Sequence, residues 1–167
     1  MLKMIRAGMY SSVQDGGREG QRQSGISLCG ALDKPSLVIA NLLVGNAANA
    51  AALEITLGQV DIQFERSGWF ALTGAACEAK LDGEPVWVGW RTAVKAGQHL
   101  VLKNPQHGVR SYLAVAGGIA VPKVLGSRST ELKVGIGGLE GRRLQDGDRL
   151  NLGKPVKQFR RPRGVKQ

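Results

Sequence analysis

Residues able to do chemistry are densest between Gln14 and Asp33, where Asp15, Arg18, Arg22, Ser24 and Asp33 are interleaved with five glycines. Glycine-rich backbone can offer N–H groups to an anion, and the two guanidinium groups would supply charge. The same residues have purely structural uses, since Asp15 can close an Asx-turn and Asp33 can cap a helix. Both readings stand on the sequence alone. A second candidate stretch runs through Gly117-Gly118, then Gly126-Ser127-Arg128-Ser129-Thr130, then Gly135-Ile136-Gly137-Gly138. Paired glycines let a backbone approach a ligand or another strand, and they also serve ordinary barrel turns, the simpler use. Glu54 enters a strand after an apolar run and is expected to pair with an arginine rather than to work in acid–base chemistry.

No familiar catalytic pattern accompanies these residues. Neither a GxSxG elbow nor a GxxxxGK[ST] phosphate loop occurs. His99 reads as a strand residue and His107 as a turn residue, not as general bases. Cys29 and Cys77 lack CxxC spacing and histidine neighbours, so no metal site is expected. Cys77 is expected to pack as a small hydrophobe, whereas Cys29 sits in the glycine-rich loop.

The elements that must position these groups are mostly strands. Met4–Val13 reads as a first strand, ending in the turn Gln14–Arg18. Asp33 with Lys34 and Pro35 marks a helix start, and Leu37, Ala40, Asn41 and Val44 then share one face. Gly45 stops that helix, giving one main α-helix over about 34–45. From Leu53 onward the period is two: Val60, Ile62 and Phe64 alternate with Asp61, Gln63 and Glu65. Trp69–Thr73, Glu78–Leu81, Val86–Trp90, His99–Lys103, Arg110–Ala116 and Arg149–Leu152 continue as strands, with Asp82-Gly83 as a tight hairpin turn. Seven or eight short strands with one helix predict a mainly β fold, a closed or nearly closed barrel that hides its edges.

A chain of 167 residues has room for one ordinary domain with a hydrophobic core. Its net charge of +10 suggests nucleic acid until the charge is located. Lys154, Lys157, Arg160, Arg161, Arg163 and Lys166 carry six of those charges, leaving an ordinary +4 for residues 1–153. A basic tail without a recognition motif is a solvated segment, so nucleic acid is not expected as a partner. Residues 154–167 are expected to form a linker or a disordered tail after a domain spanning 1–153. No apolar stretch approaches the roughly 20 residues of a membrane span, and the N-terminus lacks a signal-peptide core. A cytoplasmic protein is expected.

The ordered blocks Ser12–Arg18, Ser24-Gly25, Gly30–Asp33, Ala40–Asn46, Ala52–Thr56, Leu72–Ala75, Tyr112–Ile119 and Leu125–Thr130 carry a further signal. Their succession resembles the KipA family, which includes allophanate hydrolase subunit 2, the carboxyltransferase part of urea carboxylase and, most similar here, C subunits of bacterial 5-oxoprolinase. The resemblance covers residues 1 to about 153. It implies a cyclophilin-like β-barrel, and a place in a hetero-oligomeric, ATP-dependent hydrolase that opens 5-oxoproline to glutamate. The B subunit of that enzyme would be the direct partner and the A subunit the next, with ATP used by the whole complex at no assignable site here. It also implies that the family's second half, with most active-site residues, is missing, so independent catalysis is not expected. A regulatory module antagonising a kinase inhibitor and a biotin-dependent carboxyltransferase domain are the alternatives within the family. Asp15, Arg18, Arg22, Ser24, Gly25, Asp33, Asn41, Glu54, Ser129 and Thr130 are its candidate substrate or interface residues in this chain.

Overall fold

Period-two alternation produces a sheet whose two faces are both covered. The computed structural model describes residues 1–165, and Lys166 and Gln167 lie outside the described residues. In chain order the elements are β1 (Leu2–Arg6), β2 (Tyr10–Gln14), α1 (Lys34–Leu43), β3 (Ala52–Thr56), β4 (Val60–Phe64) and β5 (Gly68–Leu81). There follow β6 (Glu84–Val86), β7 (Trp90–Val94), β8 (His99–Val115), β9 (Arg149–Leu150) and β10 (Arg163–Gly164). They form one antiparallel ten-stranded sheet with a main path β10-β7-β5-β8-β4-β1-β9. β3 pairs with β8 and β2, and β6 pairs with β5. The sheet is strongly folded on itself and barrel-like, but its hydrogen-bonded path has ends at β9 and β10 and does not close.

Long bent strands replace several of the short ones expected. Trp69–Thr73 and Glu78–Leu81 are two ends of β5, and His99–Lys103 and Arg110–Ala116 are two ends of β8. Register shifts between Gly74 and Ala79 bend the β5–β8 pair without ending it. His107 therefore lies inside β8 and not in a turn. The expected first strand splits instead, because Gly8 takes φ +72° with a β-carbon position only 2.6 Å from the Gly58 carbonyl oxygen. Val86–Trp90 likewise divides into the end of β6 and the start of β7.

One core fills the inside of the folded sheet. Leu53 and Ile55 from β3, Phe70 and Leu72 from β5, and Leu113 and Val115 from β8 point into it. Phe64 and Phe70 stack there with ring centroids 5.2 Å apart. The alternate residues of the same strands, Ala52, Ala71, Tyr112 and Ala114, form a second cluster with Leu37, Ala40 and Leu43 of α1. Three alanines on the outer face let the helix approach closely, and Leu37 is fully buried against them. Its burial stabilises the docking by about 2 kcal/mol. The Thr73 hydroxyl donates to the Ser36 carbonyl at 2.7 Å and fixes the helix along its axis.

Residues 154–165, expected as linker or disorder, lie against this body. β10 pairs with β7 through Arg163 and Gly164. Phe159 meets Trp69 edge-on at 5.8 Å, and the Arg91 guanidinium lies 3.8 Å over the Phe159 ring. No helix of the described residues is long and apolar enough to cross a membrane.

Candidate functional site: a loop clamped by two buried carboxylates

The Gln14–Asp33 loop leaves the sheet at β2 and returns at α1, and a buried carboxylate holds each end. At the first end Asp15 is almost fully buried. One carboxylate oxygen accepts from the Ser127 and Ser129 hydroxyls at 2.7 Å each and from the Gly17 N–H at 2.9 Å. The other accepts from the Arg128 N–H at 2.6 Å. Burial pushes the Asp15 carboxyl up, but the bonds from Ser129, Arg128, Ser127 and Gly17 outweigh it and hold the group below its ordinary value.

Arg18 does not pair with Asp15. Its side chain is 1% exposed, and Nε and Nη2 donate to the carbonyls of Val124 and Ser129 at 2.9 and 3.0 Å. Nη1 has no partner among the described residues. Thr130 extends the seam, its hydroxyl donating to the Val13 carbonyl at 3.0 Å. Asp15, Arg18, Ser129 and Thr130, chosen from two distant stretches of sequence, thus meet in one place. Together they join the loop's start to the segment 124–130.

At the second end Glu54 accepts from the Leu32 N–H at 2.9 Å and from the Tyr112 hydroxyl at 2.7 Å. The Tyr112 oxygen in turn accepts from the Asp33 N–H at 2.8 Å. Burial and then the Glu54 carboxylate push the Tyr112 phenol well above its ordinary value, so it stays a donor. Arg110 Nε stands 3.4 Å from the other Glu54 oxygen, an ion pair without hydrogen-bond geometry. Asp33 caps α1, accepting from the Ser36 N–H at 3.1 Å and the Ser36 hydroxyl at 2.6 Å.

Between the clamps the loop crosses itself. The Arg18 N–H donates to the Leu28 carbonyl and the Ala31 N–H to the Asp15 carbonyl. Gly17 and Gly30 pack face to face at the crossing, where a β-carbon on Gly30 would lie 2.7 Å from the Gly17 α-carbon. Ser27 and Cys29 both donate to the buried Glu131 carboxylate, and burial, with Glu131 beside it, pushes the Cys29 thiol up. Cys29 is thus held as a neutral thiol. Arg22, Ser24 and Gly25 lie apart from both clamps on a short 3-10 turn at the surface. Asn41 also stands apart: its amide donates to the Ala48 and Ala50 carbonyls and binds the connector after α1.

The clamped loop forms one wall of a cleft of about 660 Å³. Asp15–Gly17, the start of α1, Ala47–Ala50 and the segment Lys123–Arg128 surround it. Val38 and Leu125 give it apolar surface, and Lys34, Lys123 and Glu19 bring charge. Asp15 is engaged by four donors, and Glu54 by the Leu32 N–H and the Tyr112 hydroxyl, so both carboxylates hold the loop in place. Lys34, Lys123 and Glu19 are all exposed, so the cleft presents charges of both signs.

Sequence reasoning held Ser127 only within its second glycine-rich stretch, and it overlooked Tyr112, Arg110 and Glu131 as site residues and Lys34 and Lys123 as lining of one cleft. Ser127 and Ser129 alternate around Arg128 in a glycine-flanked turn, a signal that was present. Nothing local marks Lys123, because its partner across the cleft is 89 positions away.

Residues 24–166 match the family model described as "Carboxyltransferase domain, subdomain A and B". The chain is 71% identical to the 5-oxoprolinase C subunit of Escherichia coli K12 over all of its 167 residues and 54% of that protein. It is 39% identical to the urea amidolyase of Lachancea kluyveri over 92% of this chain and 8% of that one. The crystal structure of the Kluyveromyces lactis urea carboxylase superposes with a TM-score of 0.89 and 36% identity, covering 92% of this chain and 14% of that chain. This chain spans about half the length of the 5-oxoprolinase C subunits it matches.

Proposed function

The chain belongs to the family of the carboxyltransferase domain, subdomain A and B, and from that membership we propose that it forms the first half of a 5-oxoprolinase C subunit. The observation that carries the reading is the 71% identity to the Escherichia coli protein, sustained over the full length of the chain. Identity to the urea amidolyases is far lower, which ranks carboxyl transfer second.

In this reading the chain works in a complex with the A and B subunits of the enzyme. Water adds to the lactam carbonyl of 5-oxoproline, the ring C–N bond breaks, and glutamate is released while ATP becomes ADP and phosphate. A five-membered lactam is a stable amide, so coupling to ATP activates its carbonyl, and the activated species needs shelter from bulk water. The clamped loop and its cleft are a preorganised wall for such a shelter. Both buried carboxylates act in it as positioning residues.

A chimera tests the proposal, with this chain in place of the first half of the Escherichia coli C subunit. A strain lacking its own C subunit should regain growth on 5-oxoproline as sole nitrogen source. The second half alone should not restore growth. Failure of a stably expressed chimera would remove the reading.

A further inference from the structure

Arg91 of β7 lies where the end of α1 meets the segment 157–164. Its Nη1 donates to the Leu43 carbonyl at 3.3 Å and its Nε to the Arg161 carbonyl at 3.2 Å. The guanidinium covers the Phe159 ring, which Trp69 braces edge-on. Pairing of Arg163 with Arg91 and of Gly164 with Trp90 fixes the segment a second time. Between these elements opens a cleft of about 780 Å³, lined by Arg91, Arg160, Arg161 and Arg163 together with Trp90. Among the described residues no carboxylate lines it, and none of the four arginines takes part in an ion pair. Burial and the charges of Arg163 and Arg161 push the Arg91 guanidinium down, as expected of cations crowded without a counter-charge.

We propose that this cleft docks an acidic segment of a partner protein. Carboxylates entering it relieve the repulsion among four guanidinium groups, and the backbone that carries them is already held in place. Arginine and tryptophan are the residue types that most often anchor protein interfaces. Trp90 is 44% exposed at the cleft, and Leu42, 59% exposed, adds apolar surface at the end of α1. A second copy of the chain fits poorly, because each copy carries a net charge of +10. Nucleic acid fits poorly too, since bases stack on open aromatic faces. Here Arg91 lies on Phe159, and Gly164 packs against the Trp90 ring with no room for a β-carbon. Naming the partner as the B subunit of 5-oxoprolinase rests on the reading of the chain as half of a C subunit.

Biolayer interferometry of the 167-residue chain against the purified Escherichia coli B subunit, at low and at high salt, tests the docking. The double variant Arg160→Glu, Arg161→Glu should bind at least about tenfold more weakly than the parent, a difference of about 1.4 kcal/mol. Lys95→Glu, Lys123→Glu, which makes the same change of charge outside the cleft, should stay within about threefold of the parent. All four side chains are exposed, so matching unfolding midpoints should report intact folding. Affinity of the parent should fall as salt rises. Equal losses in the two double variants, or no loss in the first, would overturn the inference and leave the 5-oxoprolinase reading in place. Absence of any binding between the B subunit and the parent would also overturn it, and growth of the chimera on 5-oxoproline then judges the reading separately. Tighter binding to a thymidine oligonucleotide or to phosphatidylserine vesicles would overturn the choice of a protein partner. A dimer of the parent chain that the first variant abolishes would do the same.

Discussion

At the scale of residues, the site rests on two carboxylates that hold backbone. Asp15 gathers four donors, and replacing it with Asn keeps the shape while removing the charge those donors were arranged to meet. Asp15→Asn should lower stability by about 1–3 kcal/mol, measurable by urea unfolding. The effect should also depend on pH. The folded carboxyl ionises below the unfolded value of about 3.9, so its contribution is complete above that value and drains away as pH falls through the folded pKa. The variant should lose stability less steeply than the parent between about pH 4 and pH 2. A parallel fall in both would deny Asp15 its role. Tyr112→Phe should cost about 1–2 kcal/mol, because it strips a donor from Glu54 and leaves the Asp33 N–H without its acceptor. The sequence offered both readings of Asp15 and could not choose, since its hydroxyl donors are more than 110 positions away. For Glu54 the expected arginine partner is present, but the closer contact is Tyr112, which the sequence offered only as a residue of the strand Arg110–Ala116.

At the scale of elements, the helix and the alternation of the strands were legible because they are local. Asp33, Pro35 and Gly45 bracket α1 within two residues of its observed end. The fusion of short strands into β5 and β8 was not legible, because a bulged strand and two strands with a turn share the same composition. Gly30→Ala tests the loop crossing. Gly30 has φ +89° and no room for a β-carbon beside Gly17, so the substitution should cost about 1–3 kcal/mol. Gly25→Ala, on the open surface turn, should cost less, and equal losses would show that the crossing does not constrain the loop. The tail makes a separate prediction. Phe159→Ala removes the ring between Trp69 and Arg91, so trypsin should cut near Arg160–Arg163 several-fold faster with the unfolding midpoint nearly unchanged. The tail's polar composition hid this packing, which rests on one aromatic side chain and on the two-residue pairing of β10 with β7.

At the scale of the whole molecule, this chain is a barrel-like body with two hydrophobic clusters, and the proposed activity calls for a second half and two further subunits. The order of motif blocks pointed to the family before any contact was visible, and two of those blocks, Ser12–Arg18 and Leu125–Thr130, meet at the first clamp. The direct measurement reconstitutes the purified chimeric C subunit with its A and B partners, supplies 5-oxoproline and ATP, and follows glutamate and ADP together. Both products should rise in step, neither should form without 5-oxoproline beyond background, and urea with biotin should not substitute. A reconstituted complex that yields no glutamate, or that releases ADP without it, would contradict the assignment of this chain to 5-oxoprolinase.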